Sequence, residues 1–274
     1  MKTKSLSDLA AKIVSDIDEG FAAEDRGEAR SYIGASMAGT DCTAKMQLSL
    51  RGLPEDPIEP QLLRIFRAGH GIETMVVKDL KQKANLLVYE KDEWTGKQFR
   101  YEWLGGHVVC NMDGMVDFED GSPRAILEIK SMNDANFKKF SRHGVKVSHR
   151  HYYRQMTMMM AMSGIKRSFF ISYCKNTSRY HAEIVEYDHE EWMAMFSLIQ
   201  AALDGRADRI AETENDYRCK GCFKRSACWH VPEVDPKCRF CENASPSKDG
   251  DWLCNLDGSK AVTPCDKYKL LRPT

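Results

Sequence analysis

Arg124-Ala-Ile-Leu-Glu-Ile-Lys-Ser131 is the stretch on which the reading of this chain turns. Ala125, Leu127 and Ile129 alternate with Ile126, Glu128 and Lys130. The two-residue period of an extended strand sends the first set to one face and the second to the other. Glu128 and Lys130 therefore stand side by side on a strand that is otherwise mostly apolar. Charges in that setting are costly unless they are paired or hold a metal. The strand is either a buried ion pair or half of an active site.

Upstream, Asp113-Gly114 supplies a second carboxylate. Two carboxylates and a lysine are what magnesium-dependent cutting of a phosphodiester needs: hard oxygen donors for the ion, and a positive charge where negative charge builds. The surrounding pattern reads as strands at 85–91, 98–104, 107–118 and 124–131, with turns at Gly105-Gly106 and Asp120-Gly121. A helix over 148–163 ends at Gly164, and strands at 168–174 and 180–187 precede a helix capped by Asp188 and closed by Gly205. Before the strands, Ser5 with Asp8 reads as a capping box. Leu6, Leu9, Ala10, Ile13, Val14 and Ile17 follow at helical spacing as far as Gly20. A helix around 42–50, a Pro-rich turn over 54–60 and a helix over 61–83 containing Gly69 and Gly71 complete the order. Helix, strands, helix, strands and helix in that order predict a mixed α/β fold with a central sheet flanked by helices.

The 274 residues suffice for one full core and a small appendage. Forty basic and forty acidic residues cancel, so net charge does not point to a polyanionic partner. Local clustering, as at Lys138, Lys139, Arg142, Lys146 and Arg150, would have to supply a nucleic-acid surface, and a solvated helix face is the commoner meaning of such a run. No secretory h-region opens the chain, and the apolar run 156–162 is far too short to span a bilayer, so a cytoplasmic protein without a membrane partner is expected.

Ten cysteines in such a protein point to metal rather than to disulfides. Seven lie after Arg218, in a tail with little apolar periodicity, for which metal cross-linking is the expected reason to fold. Cys238, Cys241, Cys254 and Cys265 supply four thiolates at spacings that suit a small tetrahedral zinc knot. Cys219, Cys222 and Cys228 lack a fourth partner, which Cys42, Cys110 or Cys174 would provide; such a set suits iron–sulfur binding. Cys110 and Cys174 sit in strand-like apolar runs and read as small buried hydrophobes, whereas Cys42, in a Gly/Thr loop, reads as a ligand.

Asp113-Gly114, Glu128-x-Lys130, Gln155 on the following helix, and one early cysteine with a late C-x2-C-x5-C together resemble a PD-(D/E)XK nuclease. The likeness is to the RecB/AddB-like branch with CRISPR-associated iron–sulfur exonucleases and similar phage-encoded exonucleases, over roughly residues 32–229. It implies a restriction-endonuclease-like core, with Asp113, Glu128 and the Ile129 carbonyl as ligands of Mg2+ or Mn2+, Lys130 orienting or activating the attacking water, and Gln155 near the scissile phosphate. Glu73 is the implied further acidic ligand, with His70 as second choice. Where relatives often carry a tyrosine four residues after that glutamine, Met159 stands here, and Tyr152 and Tyr153 precede it instead. Cys42, Cys219, Cys222 and Cys228 would hold a structural 4Fe-4S cluster, clamping the chain ends across the core.

The resulting expectation is a metal-dependent DNA exonuclease of recombination, repair or processing, acting on single-stranded DNA or DNA with free ends, with a recombination or replication protein as a further partner. If phage-encoded it would work in the host cytoplasm. Its parts would be an N-terminal helix over 1–30, a nuclease core over 31–232 closed by the iron–sulfur element, and a zinc-knot-like tail over 233–274. The alternatives are a catalytically inactive DNA-binding adaptor and a redox-responsive regulator. A retained Asp113, Glu128 and Lys130 set has no purpose in either.

Overall fold

The computed structural model describes residues 6–84 and 86–274, so Ser5 of the expected capping box and Asn85 at the start of the first expected strand lie outside the described residues. The strand quoted above, β6 (Ala125–Met132), is the middle of a five-stranded mixed sheet. β5 (Gly114–Asp117) pairs with it antiparallel and β7 (Arg167–Cys174) parallel, while β2 (Leu87–Tyr89) and β8 (Tyr180–Glu186) form the antiparallel edges. Gly114 lets β2 close on β5: a Cβ there would stand 2.7 Å from the Tyr89 carbonyl oxygen.

The alternation in β6 sorts the two sheet faces. Ala125, Leu127 and Ile129 pack with Val76, Val77 and Leu80 of α4 (Pro60–Lys83). Ile126 and Met132 join the larger core on the other face, built with α5 (Asp134–Ser148), α6 (Arg150–Ser163) and α7 (His189–Leu203) through residues such as Phe140, Met156 and Met195. The fold is therefore mixed α/β with sheets flanked by helices, as the element order predicts. Helix α5 was not among the expected elements. Asn133 caps it, accepting from the Asn136 amide at 2.8 Å, and its break at Gly144 (φ 68°) together with its lysine-rich face conceals it from periodicity.

A second difference lies at 107–118, which reads as one strand and folds as two. β4 (Val108–Asn111) leaves for a separate three-stranded sheet with β1 (Ile33–Gly34) and β3 (Arg100–Trp103), whereas β5 stays with β6. The chain turns between them at Met112-Asp113, and this break sets the position of Asp113. The first helix, α1 (Leu6–Ala22), runs past Gly20 and rests on α4 through an Asp18–Arg64 ion pair, with Arg67 stacked 4.8 Å from the Phe21 ring.

The cysteine-rich tail contains α8 (Arg225–Trp229) and the antiparallel pair β9 (Ala244–Pro246) and β10 (Trp252–Cys254). Contrary to expectation it has an apolar core: Phe240 and Leu271 pack with Ala44 and Leu48 of α3 (Thr43–Leu50), which follows the short α2 (Ala35–Ala38). Arg51, at the end of α3, is wholly buried and pins the tail. It donates to the carbonyls of Arg239 and Cys241 at 2.7 Å and of Ala244 at 2.8 Å, donates to Gln47 Oε1 at 2.6 Å, and lies 4.9 Å from the Trp252 ring centre. Burial pulls its guanidinium down to about 10, so it still carries its charge at neutral pH. Gly105 meets Gly250 so closely that a Cβ on Gly105 would come within 2.1 Å of the Gly250 nitrogen. Among the described residues no helix is long and apolar enough to cross a membrane.

Candidate active site

Beyond Leu127, β6 outruns the ladder with β5, and the amide of Ile129 faces a missing neighbour. The Asp113 side chain takes its place, Oδ2 accepting from Ile129 N at 2.9 Å. A buried amide needs a partner, so the break after β4 is also what brings the first carboxylate to β6. Glu128 is 1% exposed and is bridged by Lys130, whose side chain is 23% exposed, while Gln155 on α6 donates Nε2 to Glu128 Oε1 at 2.9 Å. Glu73 reaches the same end of the sheet from α4, on the opposite side from α6.

The groups also act on one another electrostatically. Burial pushes the Glu128 carboxyl up to about 7; Lys130 opposes that rise, and Asp113 and Glu73 reinforce it. Glu73 is raised by burial and by Asp113, against the pull of His70 and Lys130. Burial works to lower the Lys130 ammonium, but Glu128 and Asp113 outweigh it and hold the group above its ordinary value. Three carboxylates from α4, the β4–β5 break and β6 thus share one excess of negative charge, which a lysine partly cancels. Among the described residues no three His, Cys, Asp or Glu side chains stand as ligands around a single point; the carboxylates are engaged by Lys130, Gln155 and the Ile129 amide instead. Glu73, Asp113, Glu128, Ile129, Lys130 and Gln155 are brought together. His70, 83% exposed and 3.7 Å from Glu73, stands at the rim.

Residues 35–166 match the YqaJ-like viral recombinase domain. That segment contains the whole cluster from Glu73 to Gln155. In a search of solved structures, LHK-Exo, an alkaline exonuclease from Laribacter hongkongensis, aligns in two crystal structures, one of them in complex with dAMP. The identities are 20% and 17%, with 68% and 69% of this chain covered, 90% and 91% of that chain, and TM-scores of 0.47 and 0.46. The crystal structure of SSO0001 aligns at 11% identity over 82% of this chain and 98% of that one, with a TM-score of 0.44. No curated protein matches the sequence.

Two further residues support the cluster, of which the sequence singles out Tyr152 but not Arg154. Tyr152 lies under the lysine, with the Lys130 ammonium 5.3 Å from its ring centre. Arg154, almost fully buried, ties the Gln155 helix to Glu191 of α7 at 2.5 Å and to Asp41 before α3. A charged residue inside the methionine-rich helix was the available signal.

The cysteines form two groups. Cys42, whose sulfur caps α3 by accepting from the Lys45 amide at 3.4 Å, shares with Cys219, Cys222 and Cys228 a cavity of about 140 Å3. Burial raises the thiols of Cys222 and Cys228, the latter to about 11. Cys238, Cys241, Cys254 and Cys265 line a second cavity, of about 110 Å3. Cys110 and Cys174 are buried in the main core, as their apolar surroundings in sequence predict, and burial pushes Cys110 up to about 12.

Proposed function

We propose that this chain is a metal-dependent DNA exonuclease acting in recombination. The observation that carries the reading is the meeting of Glu73, Asp113 and Glu128 around Lys130 inside the segment that matches the YqaJ-like viral recombinase domain. Hard carboxylate oxygens with surplus negative charge fit a Mg2+ or Mn2+ ion, with Glu73, Asp113, Glu128 and the Ile129 carbonyl as the holding groups. A divalent ion there would polarise the phosphate and make a bound water a better nucleophile. The chain's own residues do the rest. Asp113 is oriented by the Ile129 amide, and Gln155 fixes the Glu128 carboxylate. Lys130, steadied over Tyr152, places its charge where the attacked phosphate gathers negative charge.

The cysteine groups fit cofactors by donor type and number: four thiols on one cavity suit a 4Fe-4S cluster at Cys42, Cys219, Cys222 and Cys228, and four on the other suit Zn2+ at Cys238, Cys241, Cys254 and Cys265. Kinship with the iron–sulfur members of the RecB/AddB-like branch rests on the first set. The working division of the chain remains 1–30, 31–232 and 233–274, and a cytoplasmic site of action fits DNA processing.

Anaerobically purified protein should degrade linear single- or double-stranded DNA with magnesium or manganese, and Lys130→Ala should not. Equal cutting by the variant overturns the site assignment; no cutting by either overturns the enzyme reading. A brown preparation should lose its colour in Cys222→Ser, and colour kept in that variant would send the cluster assignment back to zinc.

A further inference from the structure

Helix α6 serves both charged residues of β6. Gln155 fixes Glu128, and one turn earlier the Tyr152 ring lies against the Lys130 ammonium. Residues three apart share a helix face, so one orientation of α6 sets both contacts. Gln155 is locked by its hydrogen bond, but the Tyr152 hydroxyl makes none among the described residues. Packing of the ring therefore decides where the Tyr152 side chain stands. Three aromatic rings supply it: His149 at 5.6 Å and nearly parallel (17°), His151 at 3.9 Å and tilted, and Phe170 of β7 at 6.0 Å.

Of the three, His149 is itself immobilised. It is 8% exposed and sits between α5 and α6, just after the chain breaks at Gly144 (φ 68°). Glu183 of β8 anchors the break, accepting from the Val145 amide at 2.8 Å. Ser148 Oγ donates to the Gly144 carbonyl at 2.6 Å, so toward His149 it accepts, from Nδ1 at 2.8 Å. That bond fixes the plane of the imidazole and its tautomer together. Burial and the charge of Lys139 hold the ring below its ordinary value, so at neutral pH it is uncharged and does not repel the Lys130 ammonium through Tyr152. A buried side chain so placed has almost no surface for a substrate. What it does hold is the tyrosine.

We infer that His149 is a positioning residue for the proposed cleavage: its ring fixes Tyr152, and Tyr152 fixes the Lys130 ammonium. The inference rests on the exonuclease reading of the same site. In the metal-free chain Lys130 has an ionic anchor as well, the Glu128 carboxylate. A carboxylate that also holds a divalent ion has less charge to offer the lysine, and the attraction of a cation to an aromatic face then matters more. The chain from Gly144 through Ser148, His149 and Tyr152 thus ties the α5–α6 break to the lysine of β6.

The test compares, on the full chain, His149→Leu, which keeps volume and loses the flat ring, with His149→Phe, which keeps the ring. Tyr152→Leu and the double variant with His149→Leu complete the set. With magnesium and linear DNA, kcat should fall roughly tenfold in His149→Leu, the rate equivalent of one aromatic pair, while KM stays as in wild type. His149→Phe should recover most of that loss. Added to Tyr152→Leu, His149→Leu should cost nothing further, because residues that act through one contact are not additive. Nuclear magnetic resonance of metal-free protein with isotopically labelled lysine reads the contact itself. The Lys130 ε-methylene, assigned by its loss in Lys130→Arg, should be shifted upfield by the Tyr152 ring in wild type and move toward the exposed lysines in His149→Leu. A wild-type kcat in His149→Leu, an equal fall in His149→Phe, additive losses in the double variant or an unmoved Lys130 signal each overturns the inference and leaves the exonuclease reading standing. A wild-type chain that cuts no DNA overturns both.

Discussion

The carboxylate cluster and the cysteine tail solve the same problem, holding like-charged or reactive groups close together, by opposite means. At the sheet, backbone register does the holding. β6 stands fixed between β5 and β7, the Ile129 amide claims Asp113, and α6 supplies Gln155, so the site's geometry follows from packing alone. In the tail, strands are three residues long and the apolar core is small, and the four thiols of each group face a cavity rather than a packed wall. The first region should stay folded without the proposed divalent ion; the second should lose its fold without the proposed cysteine-bound metal. Arg51 is the joint between them, because it lends three hydrogen bonds from the core to tail carbonyls.

The largest expected effect strikes the first region and spares the second. Lys130→Ala should reduce DNA cleavage roughly a thousandfold, the scale of losing one charge aimed at a developing oxyanion, measured as single-turnover degradation of linear DNA. The tail should keep its resistance to proteolysis in that variant. If the tail is cleaved as soon as Lys130 is removed, the two regions are not independent.

Arg51→Met reverses the pattern. It strands the carbonyls of Arg239, Cys241 and Ala244 without their donor, and breaking a buried charged network of this kind costs about 3–5 kcal/mol. Limited proteolysis should then remove residues C-terminal to Pro232 first, while the part that holds the five-stranded sheet and its helices persists as a resistant fragment. Global unfolding in a single transition, with no resistant fragment that contains the sheet, would show that the tail is an integral layer of the core.

What could be read in advance follows the same division. β6, α4 and α6 carry their own signals in alternation, a Pro-led start and a glycine stop, and the pairing of Glu128 with Lys130 follows from the two-residue period. The β4–β5 break was not legible, because the run from His107 to Phe118 is apolar enough for one strand and only tertiary pairing shows that its halves join different sheets. The docking of the cysteine tail was not legible either: Arg51 sits before a turn glycine like any surface arginine, and its carbonyl partners lie far along the chain. The expected dependence of the tail on metal alone gave too little weight to Phe240 and Leu271, isolated apolar residues with no period to reveal them.

Burial of Glu128 makes a smaller, signed prediction about pH. Its folded value, about 7, lies above the roughly 4.3 of an exposed glutamate. In metal-free protein a raised carboxyl binds its proton more tightly folded than unfolded, so its stabilising contribution is whole below about pH 4.3 and fades as pH rises toward about 7. Glu128→Gln should therefore gain in Tm over wild type across that window and hold a constant advantage above it. Cleavage by wild type should climb through neutrality, since a metal-holding carboxylate must be ionised. A Tm difference that does not vary with pH would mean that Glu128 is ionised throughout, held so by Lys130.

The smallest effect bears on a choice that the sequence leaves open, Glu73 or His70 as the early ligand. The two are three residues apart on the same helix and their side chains come within 3.7 Å, yet their surroundings differ. Glu73 feels Asp113 and Lys130 and is partly withdrawn from water, whereas His70 is 83% exposed and touches the cluster only through Glu73. An exposed pair of that kind contributes at most about 1 kcal/mol. His70→Ala should thus leave cleavage within about fivefold of wild type, the rate equivalent of that energy, while Glu73→Gln, which removes a carboxylate and keeps its volume, should fall well below it. Magnesium titrations of both variants separate the roles: a raised metal requirement in Glu73→Gln alone assigns the ligand to Glu73, and a raised requirement in His70→Ala alone transfers the assignment to the rim.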